Sequence, residues 1–182
     1  MGILQKRPAA IAIAAAVIVL SSQFGAPRSL SKLCRNVDEQ FYTGTGVGTD
    51  HTGIYAQLQN ACDAANALSS VGTSEQAHVL RQARTQLLDA MDAGDRHEMY
   101  EAAEAMFAEA YTFMEALGDQ PLSEEDYSYA GSRYDNITGA ARVIRDSGFN
   151  AAVDALADGA LARFPARQLA ALTGVDLPER YE

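Results

Sequence analysis

Histidines, glycines and cysteines are the residues that offer chemistry in this sequence, and the histidine pattern is incomplete. Glu75 and His78 have the Glu-x-x-His spacing of half a di-iron site in a helical bundle. A complete site needs a second such pair and two further inward glutamates, but neither His51 nor His97 has a glutamate three residues before it. We therefore predict no metal site and interpret the pair as part of a solvated helix face.

The glycine pattern is similarly weak. Gly44, Gly46 and Gly48 have a spacing that superficially resembles a phosphate-binding loop. No predicted strand precedes them, no Lys-Ser or Lys-Thr pair follows, and no βαβ unit surrounds them, so the pattern favours a connector. Serine, histidine and acidic residues lack the signature of a nucleophile elbow or catalytic triad. The sequence predicts no catalytic residue, no cofactor and a protein that is not an enzyme.

The two cysteines leave two arrangements open. Cys34 and Cys62 each lie fourteen residues from Gly48. If the glycine loop is a tight antiparallel turn, the thiols face each other across a helical hairpin, and a disulfide is geometrically allowed. If the two helices continue in line, the cysteines lie roughly 40 Å apart at a rise of about 1.5 Å per residue. The alternative to the disulfide is then two separate buried thiols.

Helices must position these residues, because signals for strands are missing. The sequence has 182 residues, of which 48% are hydrophobic and 21% charged, so one globular domain with its own core is expected. Helices are predicted over 29–42, 54–70, 74–93, from the Gly94-Asp95 break to 117, and from 123 to about 163. We expect a bend in the last helix at Asp146-Ser147-Gly148.

Apolar residues recur at steps of three and four along these helices. The clearest seam is Met99, Ala103, Met106, Ala110, Phe113 and Leu117. The preceding helix repeats the pattern at Leu80, Ala83, Leu87 and Ala90. The last helix carries two offset stripes, Tyr134, Ile137, Ala141 and Ile144, then Phe149, Val153, Leu156 and Ala160. The prediction is an all-α fold, an antiparallel bundle of about four helices.

The N-terminal stretch predicts contact with a lipid bilayer. Residues 8–27 carry no charge, and a twenty-residue helix spans about 30 Å, the thickness of the hydrocarbon core. We interpret residues 1–28 as an uncleaved transmembrane anchor with basic flanks, and residues 29–182 as the bundle domain of a single-pass cell-membrane protein. The alternative is a cleaved signal peptide, whose best cut site, Phe24-Gly25-Ala26, has a bulky first residue. Basic residues flank both ends, so they do not fix which side of the membrane the bundle occupies.

Charge is distributed unevenly along the chain. Every charged residue up to Arg35 is positive, whereas the chain from Asn36 onward has nine basic and twenty-four acidic residues. The net charge is -10. Because binding to phosphates needs a basic face, this balance argues against a nucleic-acid partner.

The C-terminal forty residues carry a family pattern. The pattern is Phe149-Asn150-x-Ala152-Val153-x-x-Leu156, Leu161, Phe164-Pro165, Leu169-Ala170-x-Leu172-x-Gly174 and Pro178-x-x-Tyr181-Glu182. With the anchor, the segment from Val37 to Tyr42 and the stretch from Gln57 to Asn60, it resembles the LemA family of bacterial membrane-anchored helical proteins. The chain resembles a divergent member, because it inserts a loop at 43–53 and departs at Ala64-Ala65-Asn66-Ala67-Leu68, Gln168 and Thr173.

The resemblance implies a bundle of about four helices behind one anchor, without established catalytic residues or cofactor. Some relatives act in membrane remodelling or organelle formation, and many are encoded beside membrane proteases. It therefore implies a scaffold or adaptor at the bacterial membrane. The alternative is a ligand- or metal-binding helical bundle, a sensor or an enzyme, tethered to or exported across the membrane.

The apolar tail suggests where such a scaffold would bind. Leu169, Leu172, Val175 and Leu177 lie outside the long helix, after the Phe164-Pro165 break. We interpret them as a candidate docking site for an unidentified membrane protein or for self-association. The alternative is that they cap the end of the bundle.

Overall fold

The described part of the chain is helical. The computed structural model describes residues 26–44, 53–71, 75–162 and 174–182, and no strand occurs among them. The helices are α1 Ala26–Thr43, α2 Ile54–Leu68, α3 Glu75–Ala93, α4 Arg96–Gly118, α5 Glu124–Arg145 and α6 Phe149–Ala155. A π-helical turn, Leu156–Ala160, follows α6. The all-α prediction is confirmed.

The chain divides into two compact units. The first unit is Met1–Asp38 with Ala151–Pro178, and the second is Glu39–Asn150 with Glu179–Glu182. The boundary between the units lies within α1 and again within α6. The last four residues belong to the second unit, whereas the segment before them belongs to the first. The two units are described separately below.

Helices α2 to α5 form the bundle of the second unit. Each packs against the next helix along the chain, and α5 packs against α2, which closes a ring of four. All six predicted seam residues of α4 and all four of α3 are buried. The bundle prediction is confirmed for these helices, since a 3.6-residue period places such residues on one face.

The helix ends have local causes. Gly94 has φ +76°, which ends α3, and Asp95 then caps α4 by accepting bonds of 3.0 Å from two backbone amides. The Ser123 hydroxyl accepts a bond of 3.1 Å from the Asp126 amide and caps α5. Gly44 ends α1 with φ +86°, and its amide donates to Gln40 O at 2.8 Å.

The last predicted helix is interrupted where the sequence indicated a bend. α5 ends at Arg145, Gly148 adopts φ +69°, and α6 begins at Phe149. The predicted α5 stripe was partly wrong: Ile137 is buried, but Tyr134, Ala141 and Ile144 are only half-buried. The buried positions of α5 are Ala130, Ile137 and Ala140. Alanines allow two helices to pack closely. The positions of α5 that face the neighbouring helices are therefore buried, even where their side chains are small.

The core of the first unit is a small cluster. Leu30 and Cys34 of α1 pack with Leu156 and Leu161, and Val175 lies against them. In the π-helical turn the Leu161 amide donates to Leu156 O at 3.0 Å, a five-residue step. Both leucines thereby belong to the same cluster.

Several sequence predictions concern residues that lie outside the described ranges. The predicted anchor, residues 8–27, lies almost entirely outside the described residues, and so does most of the glycine loop with Gly46 and Gly48. Within the described ranges, no helix is long and apolar enough to cross a membrane.

Candidate functional site

The second unit buries an arginine at the start of α4. Arg96 is 7% exposed, and its guanidinium lies 4.6 Å from the ring centroid of Phe41 and 5.3 Å from that of Phe149. One of its nitrogens, Nη1, donates to the main-chain oxygen of Glu179 at 3.1 Å. Two aromatic faces and hydrogen bonding compensate for removing the charge from water.

An asparagine holds the end of the chain. Asn150 Nδ2 donates to the Tyr181 carbonyl, the Tyr181 amide donates to Asn150 Oδ1, and both bonds are 2.8 Å long. His97 Nδ1 lies 2.7 Å from the main-chain oxygen of Glu182. These contacts engage main-chain groups, as an adjacent strand does when it binds an extended peptide.

Aromatic rings enclose the tyrosine of this segment. Tyr181 is 5% exposed, and its ring meets Tyr100 edge-to-face at 5.4 Å and Phe41 at 5.8 Å. Burial raises the pKa of its hydroxyl well above the ordinary range. We name Phe41, Arg96, Tyr100, Phe149 and Asn150 the tail clamp, and Glu179–Glu182 the tail segment.

Sequence analysis did not identify the tail clamp as a site, although three of its residues lie in segments quoted for the family resemblance. Phe41, Phe149, Asn150 and Tyr181 all belong to the segments that resemble LemA. Arg96 was missed, because Gly94-Asp95 was interpreted only as a helix break. One signal was available: a cation in the first helical turn opposes the helix dipole, so its position there indicates a contact elsewhere.

A groove of about 670 Å³ lies in the first unit. One wall is α1, with Arg28, Lys32 and Arg35, which recur at steps of three and four and so share a helix face. The other wall comes from the segment Gly174 to Pro178. The full lining is Arg28, Ser31, Lys32, Cys34, Arg35, Asp38, Gly174, Val175, Asp176, Leu177 and Pro178. We name it the basic groove.

Cys34 and Cys62 are both buried, one in each unit, and the structure has no bond between their sulfur atoms. Burial raises the pKa of Cys62 to about 11, although the Arg84 charge opposes the shift. Burial likewise raises the pKa of Cys34. A raised pKa keeps a thiol protonated and unreactive. The two arrangements of Cys34 and Cys62, a disulfide or two separate thiols, both stay predictions.

The predicted docking tail has two described members. Val175 is half-buried against the core cluster of the first unit, whereas Leu177 is 49% exposed. Leu169 and Leu172 lie outside the described residues. Of the described pair, Leu177 retains the accessibility that a docking residue needs.

The Glu-x-x-His pair lies at the surface, as expected for a solvated helix face. Glu75 and His78 are both exposed on α3. Throughout the described ranges, no group of three or more His, Cys, Asp or Glu side chains is arranged to hold a metal ion. His51 lies outside those ranges.

A second, polar groove of about 440 Å³ lies in the bundle. It is lined by residues of α2 and α5, among them Asn60, Asp63, Arg133 and Asn136. Arg133 lies over the Tyr129 ring at 4.7 Å, and its buried Nε has no hydrogen-bond partner. Acidic and basic groups are mixed along this lining, so it favours no single ligand charge.

Comparisons with known proteins gave no match. No family model matches the chain, and neither curated proteins nor solved structures yielded a similar protein. The resemblance to LemA therefore rests on the residues quoted above.

Proposed function

We propose that this chain is a non-catalytic scaffold or adaptor of the bacterial membrane, similar to LemA proteins. In this proposal one N-terminal span of residues 8–27 holds the helical bundle beside the bilayer. The observation that carries the proposal is the tail clamp. Phe41, Phe149, Asn150 and Tyr181, which carry the resemblance in separate parts of the sequence, meet there in space.

The tail clamp supports the proposal by its physical effect. Arg96 connects the end of α1, the start of α4 and the tail segment within the second unit. The main-chain bonds of Asn150 add a directional constraint to this contact. These non-covalent contacts between separate segments favour a rigid body that presents a fixed surface, which an adaptor needs.

The anchor is supported by the order of the elements. The uncharged stretch 8–27 runs directly into α1, which begins at Ala26. Arg28, Lys32 and Arg35 follow it at once, as juxtamembrane basic residues do. This arrangement fits a helix that leaves the bilayer through its headgroup layer.

Leu177 is the proposed docking residue of the first unit. Its exposed side chain is suited to a membrane protein partner or to a second copy of the chain. Removing the whole tail from residue 166 is a poor test, because that deletion also removes Tyr181 from the second unit's core. A point substitution at Leu177 avoids this problem.

The proposal is tested by cross-linking in cells, followed by capture from carbonate-washed membranes. The tag belongs at the N-terminus, since Glu182 contacts His97. We compare wild type with Leu177→Glu and with Tyr111→Glu, a control at an exposed residue of α4. We expect one abundant partner or a self-cross-link, lost with Leu177→Glu and kept with Tyr111→Glu.

Two results would refute the proposal. Release of the wild-type protein by the carbonate wash would mean that residues 8–27 do not anchor it. A membrane-bound protein with neither a partner nor a self-cross-link would refute the scaffold role. Equal loss with both variants would show that Leu177 is not the docking residue.

A further inference from the structure

The basic groove places positive charge at one position of an acidic protein. Arg28, Lys32 and Arg35 are exposed on one face of α1. The net charge of the chain is -10, and the chain from Asn36 onward has nine basic residues against twenty-four acidic ones. An anion approaching this protein is therefore attracted to the groove and repelled by most of the remaining surface.

The two walls of the groove differ in chemistry. The wall formed by α1 offers guanidinium and ammonium donors, and the opposite wall offers the apolar side chains of Val175, Leu177 and Pro178. A ligand that fits both walls has a charged end next to an apolar part. A phospholipid has this composition, because its short glycerol backbone joins a charged phosphate to apolar acyl chains.

Two aspartates restrict the ligand further. Asp38 and Asp176 also line the groove, so its three positive charges face two negative ones. Three positive minus two negative charges leave +1, which matches a single phosphodiester charge better than it matches a polyanion. A headgroup that carries hydroxyls beside the phosphate can also donate hydrogen bonds to the carboxylates.

The location of the groove agrees with a lipid ligand if the proposed anchor is correct. Arg28 and Arg35 are seven steps apart along α1, about 10 Å at a rise of about 1.5 Å per residue. That length is comparable to the headgroup layer on one side of a bilayer, roughly 5–8 Å. The inference rests on the proposed function for this placement alone.

We propose that the basic groove binds the headgroup of an anionic phospholipid, with phosphatidylglycerol as the representative ligand. Arg28 and Lys32 bind its phosphate, the aspartates accept bonds from its hydroxyls, and Val175 and Pro178 contact the first methylene groups of its acyl chains. The bundle is thereby seated against anionic membrane.

The test titrates the purified full chain in neutral detergent and counts retained lipid by native mass spectrometry. The probes are phosphatidylglycerol, phosphatidylcholine and inorganic phosphate. We expect preferential retention of phosphatidylglycerol that weakens as salt is raised. The Arg28→Gln/Lys32→Gln variant should bind it roughly 25-fold more weakly, at about fivefold for each removed charge.

The control variant is Arg142→Gln/Arg145→Gln, which removes the same charge from the exposed end of α5. It should bind phosphatidylglycerol as wild type does, and Lys32→Arg should keep the affinity. Circular dichroism and thermal unfolding show whether each variant is folded.

Three results would overturn the inference. Equal retention of phosphatidylglycerol and phosphatidylcholine would exclude an anionic site. Equal weakening of lipid binding by the control variant would mean that the net charge of the protein, and not the basic groove, determines binding. Displacement of the lipid by inorganic phosphate at the lipid's own concentration would identify a phosphate site instead. Carbonate washing of the same variants tests the anchor separately. The detergent titration measures lipid binding to the basic groove whether or not residues 8–27 span the bilayer.

Discussion

Asn150 and Tyr181 exchange two hydrogen bonds of 2.8 Å although 31 positions separate them in the sequence. One asparagine side chain thereby satisfies both main-chain groups of a buried tyrosine. Buried main-chain groups without partners are costly, so this pair permits a segment without regular secondary structure to be part of the core.

Replacing Asn150 by leucine tests the importance of this pair. Leucine keeps the branched outline of the side chain but removes both bonds, and we expect a loss of about 2–3 kcal/mol in the free energy of unfolding. Urea denaturation measures the loss, and amide hydrogen exchange at Tyr181 should accelerate. Asn66→Leu on the exposed face of α2 is the control and should change little. Unaltered exchange at Tyr181 in Asn150→Leu would contradict the assignment.

Arg96 contributes both its charge and its planar shape. Arg96→Ala should lower the free energy of unfolding by roughly 3 kcal/mol, because two ring contacts and a charged hydrogen bond are lost. Arg96→Lys keeps the charge without the planar stack, so its loss should be intermediate. Urea midpoints measure both, with exposed Arg142→Ala as reference. A lysine variant as stable as wild type would mean that the stacked guanidinium geometry is unimportant.

Gly53 is required for contact with the end of α1. A Cβ at Gly53 would lie within 2.6 Å of the Phe41 carbonyl oxygen and closer still to the Tyr42 carbonyl. Since backbone must move to relieve this clash, Gly53→Ala should lower the melting temperature by several degrees. Gly131→Ala in α5, where a Cβ meets nothing within 4 Å, should instead stabilise the helix by about 0.5–1 kcal/mol. Equal effects of the two substitutions would contradict the steric argument.

His97 should make the tail contact depend on pH. Its hydrogen bond to the main-chain oxygen of Glu182, together with the Glu101 charge, raises its pKa above the ordinary 6.5. The folded chain therefore holds this proton more tightly than the unfolded chain, so the stabilisation is complete below pH 6.5 and is lost as pH rises through the raised value. NMR titration of the imidazole measures the pKa, and Glu101→Gln should lower it. A pKa at or below 6.5 in wild type would exclude this interaction.

Cys62 should make the stability of the folded chain depend on pH in the alkaline range. The pKa of Cys62 is about 11 in the folded chain against an ordinary value of 9.0, so the unfolded chain releases its proton first. Stability should therefore decrease between pH 9 and 11, and Cys62→Ala should reduce that slope. Thiol titration in urea without reductant should find two free thiols per chain. A count of zero would instead establish the disulfide between Cys34 and Cys62.

The sequence predicted the buried residues correctly wherever a repeat of three and four residues determines which face of a helix is buried. The α4 seam from Met99 to Leu117 is buried as predicted, because residues three and four apart share a helix face regardless of the partner. The break at Asp146-Ser147-Gly148 was also predictable, since the two apolar stripes are out of phase there. The α5 stripe was less predictable, because Ala130 and Ala140 rather than Ala141 and Ile144 are buried in the bundle.

The sequence by itself determined an all-α chain, its main helix breaks and most of its buried seams, since these depend on residues within one or two helical turns. Only the tertiary structure decided that Arg96 is buried against the rings of Phe41 and Phe149, and that Asn150 binds Tyr181. It also decided that Val175 packs inward while Leu177 is exposed. These outcomes depend on which distant segments meet, and no local period encodes contacts between residues that are far apart along the chain.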